Sequence, residues 1–115
     1  MKTVLTTLLA ICLCVPLVAD EKKKERFEKK KAAAEKGDAR AQASLGQLYS
    51  LGIGVEKDNV TAYAWWNIAE ANGYEDAKKR EETLAKKMTA EGITKAEALV
   101  KEMIKKNPKL IQKKK

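Results

Sequence analysis

The side chains with chemical potential in this 115-residue chain are cysteines, hydroxyls, carboxylates and lysines, because it contains no histidine. Without an imidazole, Ser–His and Cys–His nucleophilic pairs and imidazole-ligated zinc are excluded. Cys12 and Cys14 both lie inside the apolar run Val4 to Val18, where they read as apolar filler. Bulky Ile11 before Cys12 disfavours lipid attachment there. Ser44 and Ser50 have no evident base and read as helix residues. The acidic residues are interleaved with lysines, as on a solvated face, rather than set apart as a carboxylate pair for glycoside chemistry. Gly52-x-Gly54 lacks the third glycine and the Gly-Lys-Ser/Thr ending of a phosphate loop, and it reads as a turn. No enzymatic activity, cofactor or metal is therefore expected.

Binding remains. Trp65 and Trp66 are adjacent, and neighbouring helical positions point roughly 100° apart. One is expected in the core and the other partly exposed as an anchor for a partner. Three lysine runs, Lys22–Lys24, Lys29–Lys31 and Lys113–Lys115, and a net charge of +8 attract polyanions. No arginine-aromatic pattern for reading bases accompanies them, so nucleic acid is not an expected partner. An anionic envelope component, whether lipid headgroup, polysaccharide or acidic protein, suits the charge better.

The elements that must carry these residues begin after residue 19. Residues 1–19 read as a cleaved secretory signal: Lys2, the apolar run broken by Pro16, and Ala19 before Asp20. The run is shorter than the roughly 18 residues of a membrane span, although an uncleaved N-terminal anchor is the alternative. Cleavage removes both cysteines and, with Lys2, one positive charge, leaving a basic, thiol-free chain without a transmembrane helix. The expected destination is the bacterial periplasm or the exterior.

From Asp20 the pattern is helical throughout. Residues 20–36 form a charged helix with Glu25 four before Lys29 and a thin stripe through Phe27 and Ala34. Gly37 supplies a left-handed C-cap and Asp38 an N-cap for the next helix, whose Ala41, Leu45, Leu48 and Tyr49 share a face. A loop with Gly52 and Gly54 leads to Asp58 or Asn59 as the cap of a helix carrying Ala62, Trp65, Trp66 and Ala69. A further helix spans about Tyr74 to Thr89. Gly92 then breaks the chain, and Thr94-x-x-Glu97 predicts a capping box for the last helix. Ala33 and Gly37 return as Ala69 and Gly73, 36 positions later, a period typical of stacked helix pairs. The reading is an all-α, short right-handed α/α solenoid of about five helices over 20–106, with 37–73 as its complete repeat and 107–115 as a mobile basic tail, local docking of Leu110 and Ile111 being the alternative.

The pattern A-x-A-Q-x-x-L-G-x-x-Y-x-x-G-x-G-V-x-x-D-x-x-x-A-x-x-W-x-x-x-A-x-x-x-G resembles the SEL-one-like repeat (SLR), a relative of the tetratricopeptide helix pair. It is carried by Ala39, Ala41, Gln42, Leu45, Gly46, Tyr49, Gly52, Gly54, Val55, Asp58, Ala62, Trp65, Ala69 and Gly73. Ile53, Glu70, Glu81 and Glu82 depart from it; the last two stand where a second copy would repeat Leu45 and Gly46. The resemblance implies a non-enzymatic protein-binding scaffold. Tyr63, Trp66 and Tyr74 are expected to contact a partner, with Asn67 and Lys57 at the rim, while the motif residues are structural. The alternative is an envelope- or membrane-associated binder of polyanions through the lysine clusters.

Overall fold

The computed structural model describes residues 20–112, and the signal reading of residues 1–19 lies outside them. Five α-helices succeed one another: α1 (20–35), α2 (Ala39–Leu51), α3 (Asn59–Ala71), α4 (Glu75–Ala85) and α5 (Ala90–Lys106). A 3₁₀ turn at Pro108–Leu110 follows, and no strand occurs among the described residues. Local chemistry sets the boundaries. Asp38 accepts from the Ala41 amide and Asp58 from the Thr61 amide, each neutralising one of the orphan donors at a helix start. Gly37 (φ 98°) and Gly52 (φ 71°) close the preceding helices in the left-handed region.

α3 is the central element of the solenoid. Ala62, Tyr63, Ala64, Trp65, Trp66, Ile68 and Ala69 are all buried, so apolar side chains leave this helix on nearly every side. One cluster joins Trp65 and Ile68 to Phe27, Ala34, Leu45, Val100 and Leu110. A second joins Tyr63 and Trp66 to Ala43, Ala77, Leu84 and Ala96. Small residues set the helix spacing. A Cβ at Gly46 would stand 2.6 Å from Trp66 Nε1, and that nitrogen is already committed to the Ala43 carbonyl at 2.9 Å. At Gly54 (φ 74°) a Cβ would run into the Lys23 carbonyl, so this glycine lets the α1 backbone lie directly on the loop.

One polar network crosses this apolar interior. Gln42 is fully buried; its Nε2 donates to the carbonyls of Ala34 (3.0 Å) and Leu110 (2.9 Å), and its Oε1 accepts from Asn72 Nδ2 (2.8 Å). Asn72 Nδ2 also donates to the Leu110 carbonyl, and Asn72 Oδ1 accepts from the Gln112 amide, both at 2.7 Å. Both Gln42 amide protons and the carbonyl are thereby satisfied, as burial requires.

Two boundaries differ from the sequence reading. The last helix begins at Ala90, not near Thr94: Thr89 is the cap, accepting from the Gly92 amide at 3.0 Å, and Gly92 sits in the first turn. Thr94 instead donates to the Ala90 carbonyl within the helix, so the expected capping box is not formed. The segment expected to be mobile from residue 107 is packed through Gln112, with Leu110 only 2% exposed. Asn107 side-chain contacts to the Glu35 carbonyl and the Lys109 amide start that docking. Residues 113–115 lie outside the described chain.

Two substitutions test this packing. Gln42→Leu removes three buried hydrogen bonds, those to the Ala34 and Leu110 carbonyls and the one from Asn72 Nδ2, so it should lower unfolding free energy by roughly 2–3 kcal/mol, read as a lower urea midpoint at unchanged slope. Gly46→Ala should cost about 1–3 kcal/mol by overpacking against Trp66. An unchanged urea midpoint in both variants would contradict this account.

Candidate functional site

A concavity lies where the end of α2 and the following loop face α4, across the start of α3. It encloses about 450 Å³, within the roughly 300–1,000 Å³ range of ligand clefts. One wall comes from Ser50, Leu51, Lys57 and Asn59, the other from Lys79, Arg80, Thr83 and Lys87, with Trp66 and Leu84 as the floor. Lys79 and Thr83, four residues apart, lie on one side of α4, and Lys87 follows in the turn after it. None of the lining side chains is acidic. Leu51 stands at the rim 59% exposed and is the exposed large hydrophobic residue among those described.

The five residues expected to touch a partner are distributed differently from the sequence reading. Lys57 is exposed and lines the groove. Trp66 reaches it only as floor: it is 5% exposed, and its indole nitrogen is tied to Ala43. The expectation that one tryptophan would be partly exposed is corrected, because α3 is flanked on both sides and each indole enters a different cluster. Trp66→Ala would remove core packing worth about 3–5 kcal/mol and so would report on folding before binding. Tyr63, 7% exposed, is likewise a core residue. Asn67 is half-buried and faces α4, and half-buried Tyr74 is the N-cap residue of α4; neither lines the groove. The groove cations of α4 and the turn after it, and the exposed Leu51, went unselected from sequence, although the four-residue spacing of Lys79, Thr83 and Lys87 was the signal that marks the cations.

Tyr63 and Asn67 instead meet Glu81 of α4. Asn67 Nδ2 donates to Glu81 Oε1 over 3.4 Å, and Glu81 Oε2 is buried with no protein donor. Glu70 adjoins the same carboxyl, so two departures from the repeat pattern face each other across α3 and α4. Burial pushes the Glu81 pKa up to about 7; Glu70 pushes the same way, while contact with Tyr63 and Asn67 opposes it. Burial and the neighbouring Glu81 also push Tyr63 up to about 12, with smaller contributions from Glu97 and Glu70. Among the described residues, no group of three or more cysteine, histidine or acidic side chains is arranged to hold a metal. No described helix is long and apolar enough to cross a membrane.

The Glu81 titration has a defined sign. An unfolded Glu81 loses its proton near the ordinary value of 4.5, whereas the folded chain keeps it to about 7. Between those values the folded state binds more protons, so stability contributed by this group falls as pH rises and levels off above the folded value. The expected result is a melting temperature that declines from about pH 5 to pH 7 in wild type, with a flatter profile in Glu81→Gln. Identical profiles for the two proteins would exclude Glu81 as the source.

No protein-family profile matches the chain, and no curated protein does. Among solved structures it is similar to a protective antigen of uropathogenic Escherichia coli that displays an SLR fold, at 32% identity and a TM-score of 0.71. The match covers 76% of this chain and 20% of that one, so the chain spans about a fifth of the length of the antigen. With the glycine-loop helix pair of α2 and α3, the buried Gln42 and the close Gly46–Trp66 contact already described, the agreement settles the architecture: this chain has the SEL-one-like repeat fold, an all-α solenoid built around one complete helix pair.

Proposed function

We propose that the chain is a non-enzymatic protein-interaction module, exported to the periplasm or beyond, whose docking face is the groove between α2 and α4. The observation that carries this reading is the groove itself: an open cleft of about 450 Å³ with a tryptophan and a leucine as floor and an exposed Leu51 at its rim. Large apolar side chains beside open space are characteristic of contact surfaces. The SLR architecture supports the reading by analogy, since stacked helix pairs typically present their surface to partners. Export rests on the signal-like residues 1–19.

A second reading draws on α1, where Lys22–Lys24, Lys29 and Lys30 are all exposed. Such a lysine-rich helix attracts anionic lipid or polysaccharide by charge alone, an attraction that salt screens. The two readings separate in one experiment, crosslinking and recovery from an envelope extract with the full chain at low and at physiological salt. A discrete protein should persist at physiological salt and disappear with the triple variant Lys79→Glu, Arg80→Glu, Lys87→Glu. Recovery confined to low salt and lost on charge reversal in α1 would instead establish the polyanion reading.

A further inference from the structure

The groove carries information about what it takes. Its four cations come from both walls, Lys57 from the loop, Lys79 and Arg80 from α4 and Lys87 from the turn after α4, and no acidic side chain lines it. Ion pairs among the described residues join Lys29 to Glu25, Lys95 to Glu91 and Lys106 to Glu102, all within single helices, and none involves a groove cation. The groove cations are therefore not tied up in ion pairs among the described residues. A neighbouring depression on the same helix mixes Lys78 and Lys79 with Glu70, Glu75 and Glu82 and has no apolar floor. Only the first combines excess positive charge with exposed apolar surface.

We infer that the occupant of the groove is an acidic peptide segment with at least one large apolar side chain, its carboxylates meeting Lys57, Lys79, Arg80 and Lys87 and its apolar residue seated on Leu51, Leu84 and Trp66. This rests on the groove being the docking face proposed above. Carboxylates suit the cations because ammonium and guanidinium groups donate strong charge-assisted hydrogen bonds to them. A polyanion without apolar groups would leave the Leu51 side chain in water. A single-stranded nucleic acid would need an aromatic face for stacking, and Trp66 is 5% exposed with its nitrogen already engaged. Charge on both walls also fixes orientation and discriminates against basic partners.

The test is fluorescence anisotropy of the full chain with a labelled peptide in which aspartates and glutamates flank a single leucine. Two control peptides carry asparagine and glutamine for the acids, or glycine for the leucine. The acidic, leucine-containing peptide should bind, and each control should bind at least about tenfold more weakly. The variant Lys79→Glu, Arg80→Glu, Lys87→Glu, all exposed positions, should lose binding while keeping its helical circular dichroism; charge reversal of Lys22 to Lys24 in α1 should leave it unchanged. Equal binding of the amide control, or dependence on α1 instead of the groove, overturns the inference. So does groove-dependent binding of phosphatidylglycerol vesicles in place of the peptide. If no peptide binds yet the envelope partner is still lost with the groove variant, the acidic identity fails and the interaction module stands. If that partner is also unaffected by the variant, the module reading fails too.

Discussion

The burial of one amide side chain constrains the rest of this molecule. Gln42 is fully enclosed, so every polar atom it carries must be met by protein, and the groups that meet it come from α1, the C-cap residue of α3 and the 3₁₀ turn. In an apolar interior an unsatisfied amide costs far more than a satisfied one contributes. The three segments are accordingly held in one relative arrangement. Shape alone, in a core rich in alanine, would leave their register loosely specified; hydrogen-bond direction fixes it.

That arrangement addresses a problem particular to a single repeat. Helix-pair solenoids gain stability from neighbours, and about three units are generally needed. Among the described residues, local devices flank the one complete helix pair. α1 lies on the loop through the close approach at Gly54 and sends Phe27 edge-on against Tyr49, ring centroids 5.4 Å apart. On the other side α4 and α5 cover Trp66 and Ala69 with Leu84, Ala77 and Ala96. The segment after α5 then folds back to insert Leu110 beside Trp65 and Ile68. Wrapped in this way, α3 is more completely enclosed than an amphipathic surface helix, and its composition, with two tryptophans, an isoleucine and four alanines, matches that enclosure.

Much of this was legible in the sequence because it depends on local chemistry. Asp38 and Asp58 cap, Gly37, Gly52 and Gly54 adopt left-handed angles, and Gly46 admits a neighbouring helix, as their types and spacing indicate. What was not legible depends on partners distant along the chain. Trp66 reads as half-exposed from its own helix, and its burial follows only once α4 and α5 are in place. Leu110 and Ile111 read as the part of the tail able to dock locally, but the place Leu110 fills is built by residues far upstream. Gly92 reads as a breaker, yet in a first turn its amide is one that a cap must satisfy, and Thr89 does so. The groove cations fall between these cases: their spacing was visible, but Lys57 and Lys79 converge only through the turn between α3 and α4. The most instructive departures are Glu70 and Glu81, each unremarkable alone, which the fold brings together.

The span of the Gln42 network also bears on when folding can finish. The Leu110 carbonyl lies 68 positions downstream of the glutamine that donates to it. While a chain is being synthesised, α1, α2 and α3 emerge well before that carbonyl does, and one Gln42 proton has no internal acceptor. The early helices can form and associate, but sealing Gln42 from water must wait for the 3₁₀ turn. Closure over such a separation is intrinsically late. The native core is thus completed only once nearly the whole described chain is available.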